Sequence, residues 1–324
     1  MPIKAISILP VLLAAACISA VSTDDATSRG AACVPEATWI APGGGQLAEH
    51  LLLDSLAHNG VVLLGERHDR MAHHRWQLDT LAALYARRPN MVIGLEMFPR
   101  RVQPALDAWV RGELDEETFL VRSDWAQVWR MDAALYMDIF RFARQHRIPL
   151  VALNVDRELI QAVRRSGFDA VPAHARQGVG RPAAPSPAYT EWLQTIYRNH
   201  HPRPSDDHDQ AGQRFIEAQL VWDRAMAEAI AAARRAYPEA LVVGLIGSGH
   251  LRHGWGVPHQ LASLGLPQAA VLLPWDADSA CGELVAGLAM AVYGVPAERN
   301  ADTRTERRSI DTAGRAEAAG ANER

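Results

Sequence analysis

Four short apolar runs punctuate the chain, and each gives way at once to polar residues. Residues 61–64 lead into Gly65-Glu66-Arg67-His68-Asp69, 91–95 into Glu96, 149–153 into Asn154, and 241–246 into Gly247-Ser248-Gly249-His250. Unbroken runs of this length predict strands buried on both faces, as in parallel sheets. Elsewhere apolar residues recur every three or four positions. This spacing predicts a helix over 47–58, ended by Asn59-Gly60. It predicts a second over 73–88, with Trp76, Leu78, Leu81, Leu84 and Tyr85 on its period and Pro89-Asn90 at its end.

Residues 99–147 predict several helices, with Val102, Leu106 and Trp109 on one face and Trp125, Trp129, Ile139 and Phe142 on later ones. That stretch is too long for a simple crossover and predicts an added helical layer, a natural place for an apolar ligand pocket. Further helices are expected over 158–165 and 213–236, a loop or lid rich in Pro, Ala and Gly over 170–190, and a last strand over 269–273. The fold class is therefore α/β: a mostly parallel central sheet flanked by helices, with the helical layer over the carboxyl edge of the strands.

With 324 residues the chain can bury one sizeable core, and a net charge of −4 leaves no electrostatic footprint for nucleic acid. At the N-terminus Lys4 precedes an apolar stretch, 6–16, that is too short to span a bilayer. Residues 1–20 are read as an export signal. Ala14-Ala15-Ala16 before Cys17 resembles a lipobox with Ala14 where leucine is usual, so Cys17 is the candidate acylation site and cleavage near Ala20 the alternative. A lipid on Cys17 would place the protein on the periplasmic side, anchored to the outer membrane. Residues 21–45 read as a tether, 46–296 as the folded domain and 297–324 as a polar, disordered tail. Cys33 and Cys281 can then pair in an oxidising compartment or remain separate thiols.

No glycine-rich dinucleotide fingerprint or phosphate loop is present, and Gly247-Ser248-Gly249 lacks the spacing of a nucleophile elbow. What remains at the strand ends is Glu66, His68, His73, Glu96 and His250. Imidazoles and carboxylates are ligands for a divalent metal, and Glu66, His68, Glu96 and His250 could act as acid and base of a metal-dependent hydrolase. The plainer alternatives are that Glu66, His68 and Asp69 satisfy backbone donors at a helix start, that Glu96 pairs with Arg100 or Arg101, and that His74 is solvated.

In combination and order, several motifs resemble the ChaN-like haem-binding uptake family, with erythromycin esterase-like and Tiki-type hydrolases as distant relatives. They are Gly65-Glu66-x-His68-Asp69 with His73 and Gln77, Gly94-Leu95-Glu96-Met97-Phe98, the run 148–154, Glu217-Ala218-Gln219, Trp222-Asp223, Met226-Ala227 and Gly247-Ser248-Gly249-His250. The resemblance implies an exported lipoprotein of haem and iron acquisition, a binding protein more than an enzyme. It implies ferric haem held between subunits of a homodimer, with a tyrosine on the iron. Tyr136 and Tyr197 are the candidates for that tyrosine, and His200, His201, Arg203 and Arg252 are candidate partners for the propionates.

Overall fold

The computed structural model describes residues 33–200 and 208–296. Eight strands form one sheet: β1 (Trp39–Ile40), β2 (Gln46–Leu47), β3 (Val61–Glu66), β4 (Met91–Pro99), β5 (Leu150–Asn154), β6 (Leu241–Gly247), β7 (Ala270–Trp275) and β8 (Ala291–Gly294). Their spatial order is β2, β1, β8, β7, β3, β6, β4, β5. From β8 to β5 every neighbouring pair is parallel, and β1 joins that edge antiparallel to β8. The fold class expected from the apolar runs is the one observed.

Strands β3, β4 and β6 are buried at every position, because helices cover both faces. Val62 and Leu64 of β3 point to one core together with Leu81 and Leu84 of α2 (Met71–Arg87), Leu106 and Trp109 of α3 (Gln103–Val110) and Phe140 of α6 (Met137–His146). Val61 and Leu63 point to the other, against Met226 and Ile230 of α9 (His208–Ala236) and Leu261 of α10 (Val257–Ser263). This alternation has a consequence for the polar residues that follow. Glu66 continues the parity of Val62 and Leu64 and emerges on the α2 face. Glu96 shares the parity of Val92, which packs in the second core, and emerges on the α9 face.

The expected helical layer lies between β4 and β5. It comprises α3, α4 (Glu116–Arg122), α5 (Trp125–Val128) and α6, its interior filled by Phe98, Trp109, Phe119, Trp125 and Phe140. The loop expected over 170–190 ends at 186, where α8 (Pro187–His200) begins.

One boundary is corrected. Residues 33–45 are not tether: Trp39 is 3% exposed, packs at a tilt against Trp76 and Tyr293, and enters the sheet beside β8. Cys33 forms a disulfide with Cys281, which ties this entry segment to the loop after β7. The candidate signal, Cys17 and the tail from 297 lie outside the described residues, as do His201 and Arg203. Among the described residues no helix is long and apolar enough to cross a membrane.

Candidate functional site

The parallel strands deliver their polar residues to one edge, where crevices beyond strand carboxyl ends commonly bind ligands. A cleft of about 590 Å³ opens there. His68 and Glu96 lie on its inner side, α5 and the turn after it form one wall with Trp129, and α7 (Arg157–Ser166) forms another.

Glu66 is 2% exposed and fully engaged. Its Oε1 accepts from His68 Nδ1 and from the Tyr136 hydroxyl, each at 2.7 Å, and its Oε2 accepts from Gln77 Nε2 at 3.0 Å. His74 Nδ1 stands 3.5 Å from the same Oε2 and donates to Gln77 Oε1, while its Nε2 donates to the His68 carbonyl. Burial alone would raise the Glu66 carboxyl, but the hydrogen bonds and charges of His68 and His74 hold it well below the usual carboxylate range. Burial likewise opposes a charged His68, yet the bond to Glu66 and the charges of Glu96 and Glu66 outweigh it and push the imidazole up to about 9. His74 is raised by the same partners against its own burial.

A second imidazole and carboxylate pair lies across the edge. Asp223, wholly buried on α9, accepts from His250 Nδ1 at 2.6 Å and from the Tyr189 hydroxyl at 2.8 Å. Burial would lower the His250 pKa, but the charge and hydrogen bond of Asp223, helped by Glu96, raise it. Glu96 sits between the two pairs. Its Oε2 accepts the Gly247 amide at 2.5 Å, and its Oε1 is 3.7 Å from His250 Nε2. Gly247 must be glycine for this packing, since a Cβ there would lie 2.9 Å from His68 Cε1 and 3.4 Å from Glu96 Oε2. The Trp129 ring meets His68 edge-on at 4.6 Å and the Trp222 ring meets His250 at 5.3 Å.

The structure thus brings together Glu66, His68, Glu96 and His250, and corrects the rest of the expected set. His73 turns away: its Nδ1 accepts the Arg67 amide and its Nε2 donates to Asp276 at 3.1 Å. The hydrogen bond from His73, with Arg70 also donating, outweighs burial and holds Asp276 down at about 2. Among the described residues no three His, Cys, Asp or Glu side chains are arranged to hold a metal ion, so the proposed divalent centre of Glu66, His68, His73, Glu96 and His250 is not formed. Glu66 does not cap α2, and Glu96 does not pair with arginine: Arg100 donates to the Ala225 carbonyl, Arg101 to Asp124 and Asp156.

The expected haem ligands do not converge on the cleft. Tyr136 is 0% exposed beneath His74, Trp125 and Phe140. Burial first and the Glu66 charge second push its phenol far above the ordinary value, so it stands as a protonated donor. Tyr197 packs on Phe215, the His200 ring bonds the Ile196 carbonyl on an exposed turn, and Arg252 pairs with Glu283 over the Trp192 ring. Asp223 and His74 were missed as site residues. Asp223 had a visible signal, being the one charged residue in the buried stripe Ile216, Leu220, Asp223, Ala227, Ile230 of α9.

Fold and site together define an open α/β protein with an acid and imidazole cluster beneath a ligand-sized cleft at the strand ends. The family model described as haem-binding uptake, Tiki superfamily, ChaN matches residues 52–261, and the chain belongs to that family. Among solved structures it is similar to ChaN of Campylobacter jejuni, described with cofacial heme binding, at 17% identity and a TM-score of 0.63, over 79% of this chain and 95% of that one. It is also similar to an erythromycin esterase mutant in its open conformation, at 13% identity and a TM-score of 0.44, over 74% of this chain and 77% of that one. Comparison with curated proteins finds no match.

Proposed function

We propose that this protein binds ferric haem in the cleft at the strand ends and serves haem or iron acquisition. The observation that carries the reading is the cleft itself in a chain of this family. Its volume of about 590 Å³ falls in the range of pockets that bury an organic ligand. Met97, Val128, Trp129, Met131 and Ile160 supply apolar wall, and His68 supplies an imidazole on the inner side. A flat apolar ring with a charged edge fits such a lining. Bound haem would supply the iron that is carried; the protein supplies the apolar slot and the groups around it.

Two further parts belong to the same reading. Export through the N-terminal segment with acylation of Cys17 would hold the protein at the outer membrane, facing the periplasm. Two subunits would enclose haem between them. Titration of the full chain with hemin, followed by absorption, tests the core of the reading: a saturable Soret shift supports it, and unsaturable, non-specific partitioning rejects it. Labelling with a radioactive fatty acid, lost in Cys17→Ser, tests the anchor. Light scattering with and without hemin tests the dimer.

One observation favours a second reading, acid and base catalysis of a hydrolysis. Two imidazoles, each on a buried carboxylate, His68 with Glu66 and His250 with Asp223, flank Glu96, and groups of raised and lowered pKa brought together are what such chemistry requires. An esterase activity abolished in Glu96→Gln while hemin affinity is retained would establish it.

A further inference from the structure

Helix α7 is amphipathic in an informative way. Leu159, Ile160 and Val163 are buried against Val221 and Ala225 of α9. Arg157, Gln161 and Arg164, spaced four and three apart, form a stripe that is exposed and lines the cleft. Arg130, at the end of the opposite wall, lines it too.

These cations are not neutralised by the protein. Arg101, on the same cleft, is tied to Asp124 at 2.7 Å and Asp156 at 2.6 Å. By contrast, among the described residues Arg157, Arg164 and Arg130 have no carboxylate partner, and Glu158 is the sole carboxylate of the cleft lining left without a cation. Three guanidinium groups without a carboxylate partner therefore face one carboxylate without a cation; of the three, Arg164 lies 5.5 Å from the Phe215 ring and Arg130 donates to the Gln127 carbonyl, contacts that leave their charge uncompensated. Surface cations are usually solvated singly and mean little. Here they stand along one wall of a cleft whose lining also offers apolar and aromatic side chains, Met97, Val128, Trp129, Met131 and Ile160, beside polar ones such as His68, Glu96 and Asn154.

Resting on the haem reading, we infer that α7 is the carboxylate-binding wall of this site: Arg157 and Arg164 each take one propionate of the macrocycle, with Gln161 between them and Arg130 closing from the other side. The two arginines are seven residues apart, about 10 Å along the helix axis, and their long arms can converge on a pair of carboxylates at one edge of a porphyrin. Guanidinium groups bind carboxylates bidentately, which orients the ring as well as holding it. The apolar edge then enters first, toward His68 and Trp129.

The test compares hemin with its dimethyl ester, which keeps ring and iron and lacks both charges, on the full chain and on Arg157→Gln/Arg164→Gln. The native protein is expected to prefer the diacid by at least tenfold, and the double variant to bind both ligands alike. Arg165→Gln, an exposed change on the same helix away from the cleft lining, is expected to keep the preference. A native protein without preference, or a preference that survives in the double variant, overturns the assignment and leaves haem binding standing. Failure of both ligands to bind the native protein overturns the haem reading and the assignment with it. Far-UV circular dichroism confirms that the variants are folded.

Discussion

Tyr136 donates its phenolic hydrogen to Glu66 across 2.7 Å from a position with no exposed surface. The tyrosine that follows the aromatic helices is therefore a support of the buried acid, one of three side chains, with His68 and Gln77, that donate hydrogen bonds to it.

Tyr136→Phe removes a charge-assisted hydrogen bond and is expected to cost about 1.5–3 kcal/mol of stability by denaturant unfolding. Hemin affinity should change by less than threefold. A loss of the ferric spectrum in this variant would instead make the phenolate an iron ligand and require α6 to move.

Stability should depend on pH through His68. Its folded pKa of about 9 lies above the ordinary 6.5, so the charged imidazole stabilises the fold fully below pH 6.5. The contribution is lost as pH rises from 6.5 through 9. The chemical-denaturation midpoint of the native protein should fall across that window, and His68→Gln should flatten this part of the profile. The partly exposed position of His68 reduces the size of the effect through solvent screening.

Asp223→Asn leaves a buried imidazole without its counter-charge. Removing one member of a buried pair is expected to cost about 3–5 kcal/mol. The His250 pKa should drop, read from its ring-proton chemical shift against pH, and the Tyr189 phenol should become easier to ionise.

Gly247→Ala forces a methyl group against His68 at 2.9 Å. Overpacking of this kind costs about 1–3 kcal/mol. The His68 ring resonance should shift more than that of His250, which no atom of the new methyl group is placed to touch among the contacts at Gly247.

Cys281→Ser opens a loop spanning 248 residues of sequence. The expected loss is about 2–5 kcal/mol, and the native protein should show the same drop on reduction.

The strands that were legible in the sequence are the ones whose burial on both faces forces an unbroken apolar run, β3, β4, β5, β6 and β7. The short strands β2, β1 and β8 at one end of the sheet have two to four residues, too few to show a period, and depend on pairing with each other and on the disulfide. The same division runs through the site. Glu66, Glu96 and His250 could be found because they interrupt or follow apolar runs. His73 and His74 are neighbours on one helix turn, and only the packing of α2 decides that His74 faces Glu66 while His73 faces Asp276, 203 positions away in sequence. The arginine stripe of α7 was hidden because charged residues on an exposed helix face are ordinary until a cleft is seen in front of them.

The placement of β6 between β3 and β4 reaches beyond geometry into how the protein must be made. Val61 lies opposite Val242 and Met91 opposite Leu241, so the two halves of the site are bridged by a strand synthesised long after both. A growing chain that has released residues 61–99 holds two sticky strand edges with nothing yet to fill the gap, and closing so distant a contact is slow. Fragments ending before 241 should aggregate rather than fold, and a holdase that shields β3 and β4 until the late strand arrives would raise the yield of the whole protein.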